Sequence, residues 1–319
     1  MRNTRRLLGS LLVLGLVSWG AVSFPRVQGP TADLVLQTLR IPRVLLAMGV
    51  GAGLSLSGAV LQALFRNPLA SPLTLGVAGG AAFGGILAMV FGIQVTLPGL
   101  PFFFGFALLF ALLTLFLTYR LALHEGRLRI AVLLLAGVVL NFFYSGLILL
   151  TQYLSDYTRT FETVRWLMGN LSIVGLSIPL TVLGAVGLVG LGLFFFSPVL
   201  NLLSQGAEAA HALGVAVNKT VTALFVLVSL LVGVSVALTG PIGFVGLVVP
   251  HAVRQWVGAD HRTLLPTSAL WGAIALVVAD WIGRVLLMPQ ELPVGVVTGL
   301  LGSPYFLWLL YRSDREGWG

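Results

Sequence analysis

Long apolar runs recur along the chain, separated by short links that collect almost all of its Arg, Asp and Glu residues. Roughly 20 apolar residues suffice for a helix to cross the ~30 Å hydrocarbon layer of a bilayer. The pattern predicts ten such helices, at 7–24, 44–65, 72–92, 99–120, 128–152, 178–196, 220–239, 243–257, 264–287 and 294–312. The run at 72–92 is rich in glycine, and 243–257 is short and interrupted by Pro250. The expected fold is all-α, a polytopic membrane protein with 1–319 as a single transmembrane domain. Met1 to Arg6 and the run behind them resemble a secretion signal. No small-residue cleavage pattern precedes Pro25 and more spans follow, so 7–24 reads as a retained first helix.

Composition supports a lipid environment. Hydrophobic residues make up 58% of the chain and charged residues 9%, against about 25% charged in soluble domains. The formal charge of +8 would suggest nucleic acid in a soluble protein. Here the cations sit at helix ends, where they report topology, and no nucleic-acid partner is expected. With the N-terminus in the cytoplasm, Arg2, Arg5, Arg6, Arg66, Arg120, Arg127, Arg129, Lys219, Arg254, Arg262, Arg312 and Arg315 fall inside. Arg26, Arg40, Arg43, Arg159, Arg165 and Arg284 fall outside. That asymmetry places both termini in the cytoplasm. The chain has no cysteine, which excludes disulfides and thiolate metal sites.

Two links exceed simple turns. From Tyr153 to Ser177, Asp156, Arg159, Glu162 and Arg165 recur at helical spacing and predict a short amphipathic helix on the outer surface. From Ser197 to Lys219 runs the largest cytoplasmic link, the natural docking place for a cytoplasmic partner. Gly49 and Gly53, Gly80 and Gly84, and Gly295 and Gly299 form small-xxx-small pairs. Such pairs let helix backbones approach, either within one subunit or between subunits.

Catalytic patterns are missing. A phosphate-cradling loop needs G-x-x-x-x-G-K-[ST], yet the sole lysine, Lys219, follows Asn218. The histidines His124, His211, His251 and His261 lack metal-ligand spacing, so neither a catalytic nor a metal site is expected. Ionisable groups within spans are candidates for function. Asp280 and Arg284 sit four apart on one helix face, either as an internal ion pair or with Arg284 projecting toward a partner. Asn141, near Tyr144 and Ser145, either bonds across helices or lines a path. His251 either makes a structural hydrogen bond or touches substrate. A gradient-driven secondary transporter, the competing reading, would normally carry more buried carboxylates than Asp280 alone.

Several ordered strings resemble the FecCD-type permeases of ATP-binding-cassette importers. They include Leu39-Arg40-Ile41-Pro42-Arg43, the glycine- and serine-rich run Gly51 to Gln62, Arg66-Asn67-Pro68-Leu69-Ala70-Ser71-Pro72 and Trp166-Leu167-Met168-Gly169. Further strings are Ala212-Leu213-Gly214-Val215, Gly240 to His251, Asp260-His261-Arg262 and Glu291 to Thr298. The ordered set covers most of the chain, from about 39 to 310.

The resemblance implies a permease in the bacterial cytoplasmic membrane that imports a metal chelate (ferric siderophore, haem or cobalamin) by alternating access. It implies a homodimer, two cytoplasmic ATPase subunits that use the ATP, and an extracytoplasmic binding protein; this chain itself would bind no cofactor. Arg40, Arg43 and Arg284 match arginines that meet the binding protein's glutamates. Segment 205–217, with Gly206, Glu208, Ala209, Ala212, Leu213 and Gly214, matches the ATPase-coupling region. Asn141, Ser145 and His251 become candidates for the translocation path, and the link around His124 to Arg129 for an inner gate.

Overall fold

One helix, Ile41–Leu64, is buried along most of its length, and the fold is arranged around it. The structure, a computed structural model, describes residues 2–24, 32–93, 100–124 and 127–315. In chain order its helices are α1 (Arg2–Ser23), α2 (Ala32–Val35), α3 (Ile41–Leu64), α4 (Val77–Phe91), α5 (Phe104–Ala122), α6 (Ile130–Tyr153) and α7 (Tyr157–Leu167). They continue as α8 (Ser177–Phe195), α9 (Ser197–Leu203), α10 (Ala207–Ala212), α11 (Val217–Thr239), α12 (Val245–Val257), α13 (His261–Val285) and α14 (Val294–Arg315). Among the described residues, 7 helical segments are long and apolar enough to cross a membrane, and Val77–Phe91 and Val294–Trp308 are shorter apolar helices. The protein is thus an all-α polytopic membrane protein.

Several boundaries differ from the sequence expectation for physical reasons. The run at 72–92 starts as a 3₁₀ turn, Pro72–Leu75, and breaks at Gly76, whose φ of +78° is left-handed. Only the 15 residues of α4 are α-helical, about 22 Å of helix. The run at 243–257 becomes the 13 residues of α12, entered through a left-handed Phe244. The run at 99–120 becomes helical only at Phe104. A short hairpin, β1 (Leu123–His124) against β2 (Arg127–Leu128), occupies the link proposed as a candidate inner gate. Glu125 and Gly126 of that link, and Arg26 of the outer set, lie outside the described residues.

The Tyr153–Ser177 link contains the expected amphipathic helix, α7, capped by the Asp156 carboxylate, which accepts from the Arg159 backbone N–H at 2.9 Å. The Ser197–Lys219 link folds as α9 and α10.

Just before α3 the helix widens into a π-turn, Leu36–Arg40. Pro42 explains it: its ring clashes with the carbonyl four residues back, and it has no N–H to offer that carbonyl. The carbonyl is that of Thr38, which instead accepts from Gly175 N at 2.9 Å.

In the most apolar window of the segment containing α3, 83% of residues are buried, against 17% in that of α1. Helix α3 meets α13 where Gly51 faces Gly272: a Cβ on Gly51 would lie 2.2 Å from the Gly272 carbonyl oxygen. It meets α12 where Gly58 faces Gly246, with a corresponding distance of 1.7 Å. Lipid provides no hydrophobic drive between helices, so close backbone approach does the packing. Of the predicted glycine pairs, Gly49 and Gly53 pack on Val182 and Val186 of α8, and Gly80 and Gly84 on Thr114 and Phe110 of α5. Gly295 abuts the Met168 carbonyl, while Gly299 has nothing within 4 Å.

Gly58→Ala should force α3 from α12 and lower stability by at least ~1–3 kcal/mol, the usual cost of overpacking. Gly146→Ala, with nothing within 4 Å of its Cβ, should be neutral or stabilising. Thermal unfolding in detergent measures both; equal melting of Gly58→Ala and wild type would refute the contact.

Candidate functional site

Helices α3 and α13 run antiparallel through the Gly51–Gly272 contact. Arg43 precedes Gly51 by eight residues and Asp280 follows Gly272 by eight, so both stand about 12 Å along their helices from the contact. The two therefore meet: Arg43 Nε donates to Asp280 Oδ1 at 2.8 Å. Four residues on, one turn of α13, Arg284 brings its Nε to 3.0 Å from Asp280 Oδ2. That approach is an ion pair without hydrogen-bond alignment. Asp280 is 1% exposed and Arg284 7%, so the internal ion pair is present and Arg284 does not project freely outward.

Two further contacts complete the cluster. Arg43 Nη1 donates to Glu291 Oε2 at 2.7 Å, and Glu291 is 49% exposed. Arg40 Nη1 donates to the Val22 carbonyl and Arg284 Nη2 to the Ala21 carbonyl, each at 3.0 Å. Those carbonyls belong to the last turn of α1, where helical partners run out and the dipole favours cations. Arg40, Arg43 and Arg284 thus come together, lining a cavity of about 430 Å³ with Glu291 and residues 172–174. With three guanidinium groups against two carboxylates, the cluster is net positive.

The predicted coupling residues lie at the opposite end of the bundle. Gly206 is buried, with φ +135°, and Ala210 is buried at 0% exposure. Glu208, Ala209, Ala212, Leu213 and Gly214 are exposed, Leu213 by 66%. A cavity of about 700 Å³ separates this short helix from the start of α11, lined by Glu208, His211, Lys219 and Ile130 among others. The segment is anchored through α9. Asn201 donates to Asp260 at 2.8 Å and accepts from the His261 backbone N–H at 2.9 Å. The Asn201 amide, and after it the Arg262 backbone N–H, holds the Asp260 carboxyl below its ordinary range.

The path candidates are not assembled. Asn141 donates to the Leu73 carbonyl at 2.6 Å, tying α6 to the 3₁₀ turn. Ser145 is exposed and bonds the Asn141 carbonyl on its own helix at 2.8 Å. His251 is half-buried on α12 with Gln255 Nε2 at 3.1 Å. Among the described residues, no hydrogen bond links His251 to either of the others, and no His, Cys, Asp or Glu group could hold a metal ion.

Glu291 was not singled out from the sequence. Its partner, Arg43, is remote in sequence, and no local spacing pointed to the pair.

Comparison with known proteins gives a family match and several relatives. Residues 8–312 match the FecCD transport family. The hemin transport system permease protein HmuU of Yersinia pestis is 42% identical over 285 residues, covering 87% of this chain and 83% of that protein. The cobalamin import system permease protein BtuC of Halobacterium salinarum is 40% identical over 293 residues, covering 90% of this chain and 75% of that protein. A solved structure, described as an inward-facing conformation of a metal-chelate type ABC transporter, aligns with a TM-score of 0.88 at 36% identity, covering 98% of this chain and 100% of that one.

Asp280→Asn should leave two arginines without their buried countercharge and destabilise the fold by about 3–5 kcal/mol. Thermal unfolding of the purified permease measures this; a shift no larger than that of an exposed carboxylate such as Asp156→Asn would refute the buried role.

Proposed function

The chain belongs to the FecCD transport family, and from that premise we propose that it is the homodimeric importer subunit through which a ferric siderophore, haem or cobalamin crosses the cytoplasmic membrane. As a member, it is the permease subunit of an ABC importer of the haem, cobalamin or metal-chelate class, a non-catalytic membrane component.

One observation carries the finer reading: the chain presents two different contact surfaces at opposite ends of one bundle. At one end Arg40, Arg43 and Arg284 surround a net-positive cavity. At the other the exposed 205–217 segment rests on α9 and borders a second cavity. We read the arginine end as extracytoplasmic, receiving carboxylates of a loaded binding protein. Charges at such an interface steer encounter and set register. We read α10 as the contact with a cytoplasmic ATPase, two copies of which serve the dimer and hydrolyse ATP. Both termini then lie in the cytoplasm, in line with the positive-inside count.

Motion follows from the anchoring. Ala210 holds α10 against the bundle, and α9 is tied through Asn201 to the start of α13. A push on α10 from a closing ATPase therefore reaches α13, whose other end carries Asp280 and Arg284. Alternating access uses that link to open the two ends in turn. The exposed face of α6, with Ser145, Phe142 and Leu149, borders the path between subunits. It carries no charged side chain, which suits a bulky apolar-faced chelate that must be released.

Proteoliposomes containing the permease, its ATPase and its binding protein test this with haemin, cyanocobalamin and a ferric siderophore as cargo. ATP-dependent uptake of one of them should fall about tenfold or more with Arg40→Glu, as for loss of an interfacial charge pair, and with Leu213→Asp at the coupling end. Arg40 is the least disruptive choice, because Arg43 and Arg284 are held by Asp280. Undiminished uptake without ATPase would establish a gradient-driven carrier instead.

A further inference from the structure

We propose that Glu291 is an internal competitor for the carboxylate that docks in the arginine cavity, holding Arg43 until a partner's acid takes its place. The inference rests on the reading of that cavity as the binding-protein contact.

Arg43 divides its guanidinium between two acids of opposite character. Nε is held by Asp280, which is 1% exposed, and Nη1 by Glu291, which is 49% exposed. The first contact is sealed among helices; the second lies on the cavity wall, where an incoming group arrives. A carboxylate takes the fork-shaped edge of an arginine best when it can accept two parallel N–H bonds. Glu291 uses one N–H of Arg43, and Arg40, which lines the same cavity, gives one of its N–H groups to the Val22 carbonyl. An incoming carboxylate therefore finds donors that Glu291 does not satisfy.

The exchange needs little of the fold to move. The turn carrying Glu291 is pinned to α13, because Leu292 N donates to the Gly283 carbonyl at 2.9 Å. Rotation of one half-exposed side chain frees Arg43 while the backbone stays in place. Asp280 keeps both of its arginines throughout, so no buried charge is stripped of its partner, the step that makes breaking buried pairs costly. One carboxylate replaces another on Arg43, and the local charge balance is preserved. Docking becomes an exchange rather than a capture, which limits its tightness and lets the binding protein leave after delivery.

The test is the affinity of the transport system's own binding protein, fluorescently labelled, for the permease–ATPase complex in lipid nanodiscs. Glu291→Gln and Glu291→Ala should each tighten binding by about three- to tenfold, the range for a partly exposed ion pair. Arg40→Glu should weaken it. If Arg40→Glu weakens binding while both Glu291 variants leave it unchanged or weaken it, Glu291 supports Arg43 rather than competing for it, and the inference fails alone. If none of the variants alters affinity, the cavity is not the docking site, and the docking reading and this inference fall together.

Discussion

The backbone contact between Gly51 and Gly272 sets the geometry on which the rest of the protein depends. In lipid, helices gain nothing from excluding water against one another, so association rests on how closely backbones can approach. A side chain at either position would collide with the opposing carbonyl. Once α3 and α13 are locked there, their antiparallel course determines what meets at each end. At one end Arg43 stands level with Asp280. Toward the other, the first residues of α13 meet Asn201 of α9, which leads into the exposed α10.

A buried carboxylate is a liability unless several cations surround it. Asp280 is held by two arginines, and each of these has a second acceptor: Glu291 for Arg43 and the Ala21 carbonyl for Arg284. The end of α1 is thereby drawn into the cluster. The arginines that the family resemblance marks for partner contact also hold α1, α3 and α13 together. A partner docking there would touch groups connected to three helices.

Much of this was legible in the sequence, and what was not has a common cause. Apolar runs located the helices, because burial in lipid demands hydrophobicity whatever the tertiary contacts. Charge spacing located α7, and the four-residue interval between Asp280 and Arg284 exposed their pairing. Glu291 stayed hidden because its partner, Arg43, lies 248 positions away in sequence. The break at Gly76 and the left-handed Phe244 depend on backbone angles that hydropathy does not encode. Asn141 had two readings from sequence, bonding or path-lining, and its bond to the Leu73 carbonyl shows that it bonds across elements.

The π-turn before α3 has a mechanical consequence. It holds one residue more than an α-helical turn would, with the Thr38 carbonyl turned aside to Gly175 in the strand of chain leading into α8. Each residue advances an α-helix by about 100°, so the extra one sets the angular offset between Arg40, inside the turn, and Arg43, beyond it. Pro42 keeps the surplus residue where it is, and the Thr38–Gly175 bond ties the α7–α8 loop to the turn that presents Arg40, so that loop and arginine are positioned together.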